Sequence, residues 1–182
     1  MSGYRPGLMA DALDAPLSKS QLACFVAACR GSVEDAATLA GAIPASRIGL
    51  VIALARQAQM APASFRALLS ACWLRDHRQI VAAAICRRRL ASWFKYAGFP
   101  PARAPARVRV WRGGAGSFRQ VACGFDWHLN RGDAVQQAVE AGCGGDRAVL
   151  VSATVERSSI ALRDGQRVVV LRAPLGVLAV QK

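Results

Sequence analysis

Arg112 ends the alternating stretch "RVRVWR" (107–112) and stands directly before Gly113 and Gly114; fourteen residues further on, Asp126, Trp127 and His128 follow one another. A guanidinium fixed at a strand end grips phosphate oxygens through planar, charge-assisted hydrogen bonds that lysine does not reproduce. Asp126 accepts hydrogen bonds from an amide or a ribose hydroxyl, and His128 donates or accepts near neutral pH. Together these residue types suit an anionic nucleotide. Each also has a plainer role: Arg112 in a surface ion pair, Asp126 in a turn or cap, Trp127 in the core, His128 bonded to a backbone carbonyl. The two glycines either leave room for a ligand close to the backbone or make the turn.

The elements that must position these residues lie in the second half of the chain, where the apolar period is two. "RVRVWRG" (107–113), "RAVLVSATV" (147–155), "SSIALR" (158–163) and "QRVVVLRAP" (166–174) are expected to be strands, with Asp164-Gly165 as a turn. "RGDAVQQAVEAG" (131–142) is expected to be a helix closed by Gly142. Upstream, "FPPARAPAR" (99–107) carries three prolines and reads as a linker or rigid turn.

Before the prolines the period is helical. "SKSQLACFVAACRG" starts on a capping Ser18 and stops at Gly31, and "SVEDAATLAGAIP" repeats the device with Ser32 and acidic residues in its first turn. "ASRIGLVIALARQAQMA" is expected to close at Pro62, and "SFRALLSACWLRDHRQIVAAAICRRRLASWFKYAGF" to break near Asp76, giving four or five helices. Cys86, Leu90, Phe94 and Ala97 are expected on one buried face of the last helix. A helix-turn-helix drawn over residues 33–56 would put Ile48, Leu50, Val51, Ile52 and Leu54 on a recognition helix, and those residues want burial, so an ordinary helical hairpin is favoured. Arg87, Arg88, Arg89 and Lys95, with Trp93 and Tyr96 nearby, form a basic edge that either contacts a nucleic-acid target or is a solvated helix face. The fold class expected is α+β: a helical bundle over 1–100, for target recognition or as a cleft cover, then a small mixed α/β domain over 107–182.

The chain has 182 residues, 53% of them apolar, and a net charge of +13 carried almost wholly by arginine. That charge favours polyanionic partners such as nucleic acid, an anionic nucleotide or an acidic protein face; a genome rich in arginine codons is the plainer source. The six cysteines show no CxxC pair and no metal-ligand spacing, so they are expected as reduced thiols, with no metal. The most apolar run, "IGLVIALA" (48–55), lies between Arg47 and Arg56 and is far too short to span a bilayer. No secretory signal is visible in residues 1–20, so a cytoplasmic protein without a membrane partner is expected.

In the second half, "VRVWRG" (108–113), "GFDWHLNRGDA" (124–134) and "VLVSATVERSSIALRDGQRVVV" (149–170) stand in the order and spacing of three motifs. About 75 residues resemble the ADP-ribosyltransferase fold of bacterial and phage mono-ADP-ribosyltransferases, toxin- or effector-like enzymes with a split β-sheet core. The resemblance implies that Arg112 and Gly113 bind NAD, the cosubstrate, and that Asp126, Trp127 and His128 line the nicotinamide site. Asp126 and His128 stand where the family has serine and threonine. It further implies transfer of ADP-ribose to a macromolecular acceptor, protein or nucleic acid, with nicotinamide released. The family's catalytic glutamate precedes the last core strand, and Gln166 takes that place. Gln166 is then an inactivating Glu→Gln exchange or a natural degeneration, or else Asp164 supplies the acid. The other function open to the sequence is a basic nucleic-acid-binding module without catalysis.

Overall fold

The computed structural model describes residues 17–101, 103–145 and 147–171, and the backbone of 178–180. The chain divides into two compact units, one up to Gly98 and one from Phe99. Residues 1–16, where no secretory signal was expected, and 172–174, the end of the strand expected over 166–174, lie outside the described residues.

In the first unit, α1 (Lys19–Cys29) and α2 (Val33–Ala42) begin on Ser18 and Ser32, each of which accepts a backbone N–H of the first turn; at α1 Gln21 completes a reciprocal capping box. A 3-10 turn (Ala45–Arg47) leads into α3 (Ile48–Gln57). Pro62 does not close that helix. It opens α4 (Pro62–Ala84) at its first turn, where the missing N–H costs nothing. The expected break at Asp76 is present as a kink, with φ −157° and ψ 82°. A second break, not expected, falls at Ile85, whose φ is 64°, and α5 (Arg87–Ala97) then starts on Cys86 and ends on the left-handed Gly98.

Ile48, Val51, Ile52 and Leu54 are buried, as a packed helical hairpin requires, whereas Leu50, also expected inside, is 38% exposed. Leu90, Phe94 and Ala97 are buried as expected, but Cys86 is the exposed residue at the helix start, because the break at Ile85 removes it from the helical face. Phe94 packs edge-on against Trp73, with ring centroids 5.1 Å apart.

The second unit is an antiparallel sheet of β1 (Arg107–Ala115), β2 (Asp126–His128), β3 (Ala148–Glu156), β4 (Ile160–Asp164), β5 (Arg167–Val170) and β6 (Leu178–Val180), in the order β4-β5-β2-β1-β3-β6. Together with the helical first unit this is an α+β protein. β1 and β3 pair along nine residues, from Arg107↔Glu156 to Ala115↔Ala148, so Gly113 and Gly114 lie inside a strand and make no turn. Two helices take opposite faces: α6 (Phe118–Ala122), capped by Ser117 and Gln120, and α7 (Arg131–Gly142), capped by Asn130.

Strand alternation sorts the side chains. Val110, Trp127, Val151, Ala153, Val155, Val168 and Val170 share one face and form a buried cluster with Val121 of α6. On the other face α7 presses onto the sheet at Gly113, where a Cβ would stand 1.9 Å from the Ala134 carbonyl oxygen and 2.4 Å from the Ala138 nitrogen. The glycine is required there by helix packing. Its neighbour Gly114 meets only the Val121 side chain, on the core face.

Candidate functional site

The two halves of the sheet, β4-β5-β2 and β1-β3-β6, meet through the pairing of β1 with β2, whose register shows a single residue pair, Trp111↔His128. Two residues beyond that pair on each strand, side chains take the main-chain groups of Gly113 and Asp126. The Gly113 N–H donates to Oε1 of Gln137 at 3.2 Å, and the Asp126 carbonyl accepts a short hydrogen bond from the Arg112 guanidinium. The strands therefore part at this point, and Arg112 and Gln137 satisfy groups that a continued ladder would have paired. The Arg112 guanidinium lies against Gly124, where a Cβ would fall 2.0 Å from its central carbon.

On the α7 face one row of residues crosses this seam: Asp164 of β4, Arg167 of β5, His128 of β2, Trp111 of β1 and Ser152 of β3. Asp126, two residues before His128, points to the same face. Its carboxylate is buried, and Oδ2 receives NH2 of Arg167 at 2.8 Å. Among the described residues, Oδ1 of Asp126 and both ring nitrogens of His128 have no hydrogen-bond partner. A buried polar atom left without a partner costs about 1–3 kcal/mol, a cost that a ligand offering a donor or acceptor removes.

The residues singled out in the sequence thus fall into separate places. Asp126 and His128 are brought together on the α7 face. Arg112 belongs by alternation to the core face and reaches Asp126 through its main chain, at the end of β2 near Gly124. Trp127 is wholly buried in the core cluster and donates from Nε1 to the Gly124 carbonyl at 3.0 Å, so it lines no open pocket. Gly113 is occupied by α7. Gln166 is exposed in the β4–β5 turn, and its carbonyl accepts the Leu129 N–H at 2.7 Å. The side chain that meets Asp126 from β5 is the next one, Arg167, which sequence reasoning missed. Asp164 is exposed and stands across from Arg167.

The basic edge of α5 is differently built from the expectation. Arg88, Arg89 and Lys95 are exposed and Arg87 half-buried, but Trp93 is buried, and Tyr96 donates its hydroxyl to the Met60 carbonyl at 2.7 Å under the Arg56 guanidinium. Neither ring presents a free stacking face.

Among the described residues there is no cluster of three or more His, Cys, Asp or Glu side chains placed to hold a metal, and no helix long and apolar enough to cross a membrane. No family model, no curated protein and no solved structure matches the chain.

Proposed function

We propose that the second unit is a mono-ADP-ribosyltransferase domain that binds NAD at the seam and transfers its ADP-ribose to a macromolecular acceptor, with Asp126 as the working carboxylate. The observation that carries this reading is the buried Asp126 side chain, with one oxygen on Arg167 and the other without a partner, beside a His128 that also lacks one. Cleavage of the bond between C1′ of the ribose and the nicotinamide nitrogen builds positive charge on the sugar, and nicotinamide departs neutral with the bonding electrons. A carboxylate in a water-poor setting stabilises that charge most. The acceptor then attacks C1′ and loses a proton.

Arg112 is a positioning residue in this scheme: from the core face its guanidinium fixes the Asp126 peptide. Arg167 competes with the substrate for Asp126, so turnover is expected to be slow: the cationic nicotinamide ribose must displace an ion pair already made. Gln166 stands one residue outside the carboxylate's reach and takes no part in the step.

The experiment is nicotinamide release and label transfer from radiolabelled NAD in a cell lysate, comparing the chain with Asp126→Asn and Gln166→Glu. The reading expects release that falls by about 100-fold in Asp126→Asn, the scale for loss of one transition-state electrostatic partner. Absence of release and of labelling in all three proteins would refute it.

A further inference from the structure

α7 covers the sheet at Gly113 and leaves the residues before it on the same face uncovered. Arg107, Arg109 and Trp111 alternate onto that face along β1, and Arg131, the first residue of α7, joins them. The Trp111 ring is flanked by two guanidiniums, Arg109 at 4.6 Å and Arg131 at 5.9 Å from its centroid. Arg107, Arg109 and Arg131 are exposed, and among the described residues none of the three makes an ion pair; Glu156, across from Arg107, is the nearest carboxylate in register. Alternate residues of a strand are about 6.8 Å apart, commensurate with the phosphate repeat of an extended polynucleotide strand.

We propose that this face, Arg107-Arg109-Trp111 with Arg131, binds single-stranded nucleic acid. The exposed arginines turn from the Trp111 ring to take successive phosphates, and the ring face they leave takes an unstacked base. Duplex is excluded by chemistry: a single indole on an open sheet has a π-face to offer, and paired bases keep theirs inside the stack. The chain's charge of +13 supplies the long-range attraction. This inference stands apart from the NAD reading and requires no NAD; where both hold, it places the macromolecular acceptor beside Asp126.

The molecule carries its own reporter. Of its four tryptophans, Trp73, Trp93 and Trp127 are 1%, 2% and 0% exposed, and Trp111 alone is half-buried. The test titrates the full chain, without NAD, into fluorescein-labelled oligodeoxythymidylate, read by anisotropy across a salt series, and follows tryptophan emission with the unlabelled strand. Binding is expected to quench tryptophan emission, and Trp111→Phe to abolish the quench and weaken binding on the order of tenfold. Arg109→Gln and Arg131→Gln, both exposed and neutral to folding, are each expected to lower the log–log salt slope by about 0.7. Arg88→Gln with Arg89→Gln is expected to leave binding unchanged. Four results would overturn the proposal: no binding, equal affinity for a duplex of the same length, an unaltered salt slope in both β-face variants, or a loss confined to the α5 variant.

Discussion

The Arg167 guanidinium lies 2.8 Å from Oδ2 of Asp126, and the two side chains differ sharply in access to water, 36% against 2%. The pair is a rim cation closed over a buried anion, and it bridges β5 and β2 within one half of the sheet, beside the seam. Removing Arg167 leaves the anion without its partner, whereas removing Asp126 leaves a cation free to turn to solvent. Arg167→Ala is therefore expected to destabilise the fold by roughly 1–3 kcal/mol, below the 3–5 typical of fully buried pairs because water screens the outer partner. Asp126→Asn is expected to cost less. Urea unfolding of both variants measures this, and a larger loss for Asp126→Asn would reverse the assignment of which partner depends on the other.

Gly113→Ala is expected to be among the most damaging single-methyl changes in the chain. The added carbon meets backbone atoms of Ala134 and Ala138, which cannot rotate aside, so α7 has to move off the sheet. Overpacking of this kind costs about 1–3 kcal/mol or more. Gly144→Ala, which meets nothing within 4 Å, is the matched control and is expected to melt like the parent.

Ile85 holds φ at 64° with its side chain 82% exposed, a backbone region that a β-branched residue occupies at a cost. Ile85→Gly removes that strain and sacrifices little packing. The expected outcome is a gain of about 1 kcal/mol in chemical denaturation; a loss would mean that the exposed side chain packs in solution.

Burial pushes the thiols of Cys29 and Cys72 up to about 11, so at neutral pH almost none of either is thiolate, the reactive form. Cys86, Cys123 and Cys143 are exposed. Maleimide labelling of the native protein at neutral pH followed by mass spectrometry is expected to modify these three first, and Cys72 only on unfolding. Raising the pH toward 11 should bring Cys29, which is only partly buried, into reach by ionising it.

The helical unit was legible because its signals are local. Ser18 and Ser32 cap where they stand, the polar Asp76 interrupts an apolar face, and Gly98 supplies the left-handed stop. Ile85 carries no such mark, so nothing local in the sequence signals the second break that takes Cys86 off the buried face. In the sheet unit the strands and α7 could be read from period and capping, but the glycine pair could not: nine residues of pairing with β3 override the turn tendency of Gly113-Gly114, and the reason for glycine is a helix arriving from twenty residues away. Ser117 and Gln120 form a capping box, the local mark of the start of α6. At the candidate site the register decides which side chain meets the carboxylate: side chains alternate across a strand, so Gln166 is exposed in the turn while its neighbour Arg167 reaches Asp126.

Calorimetric titration of the full chain with NAD is the most direct test of the seam as a dinucleotide site. The account predicts saturable heat with the parent protein, a loss of affinity on the order of tenfold or more in both Asp126→Asn and Arg112→Ala, and tighter binding in Arg167→Gln, where the competing cation is gone. No heat with the parent, or the same affinity in all four proteins, would contradict it.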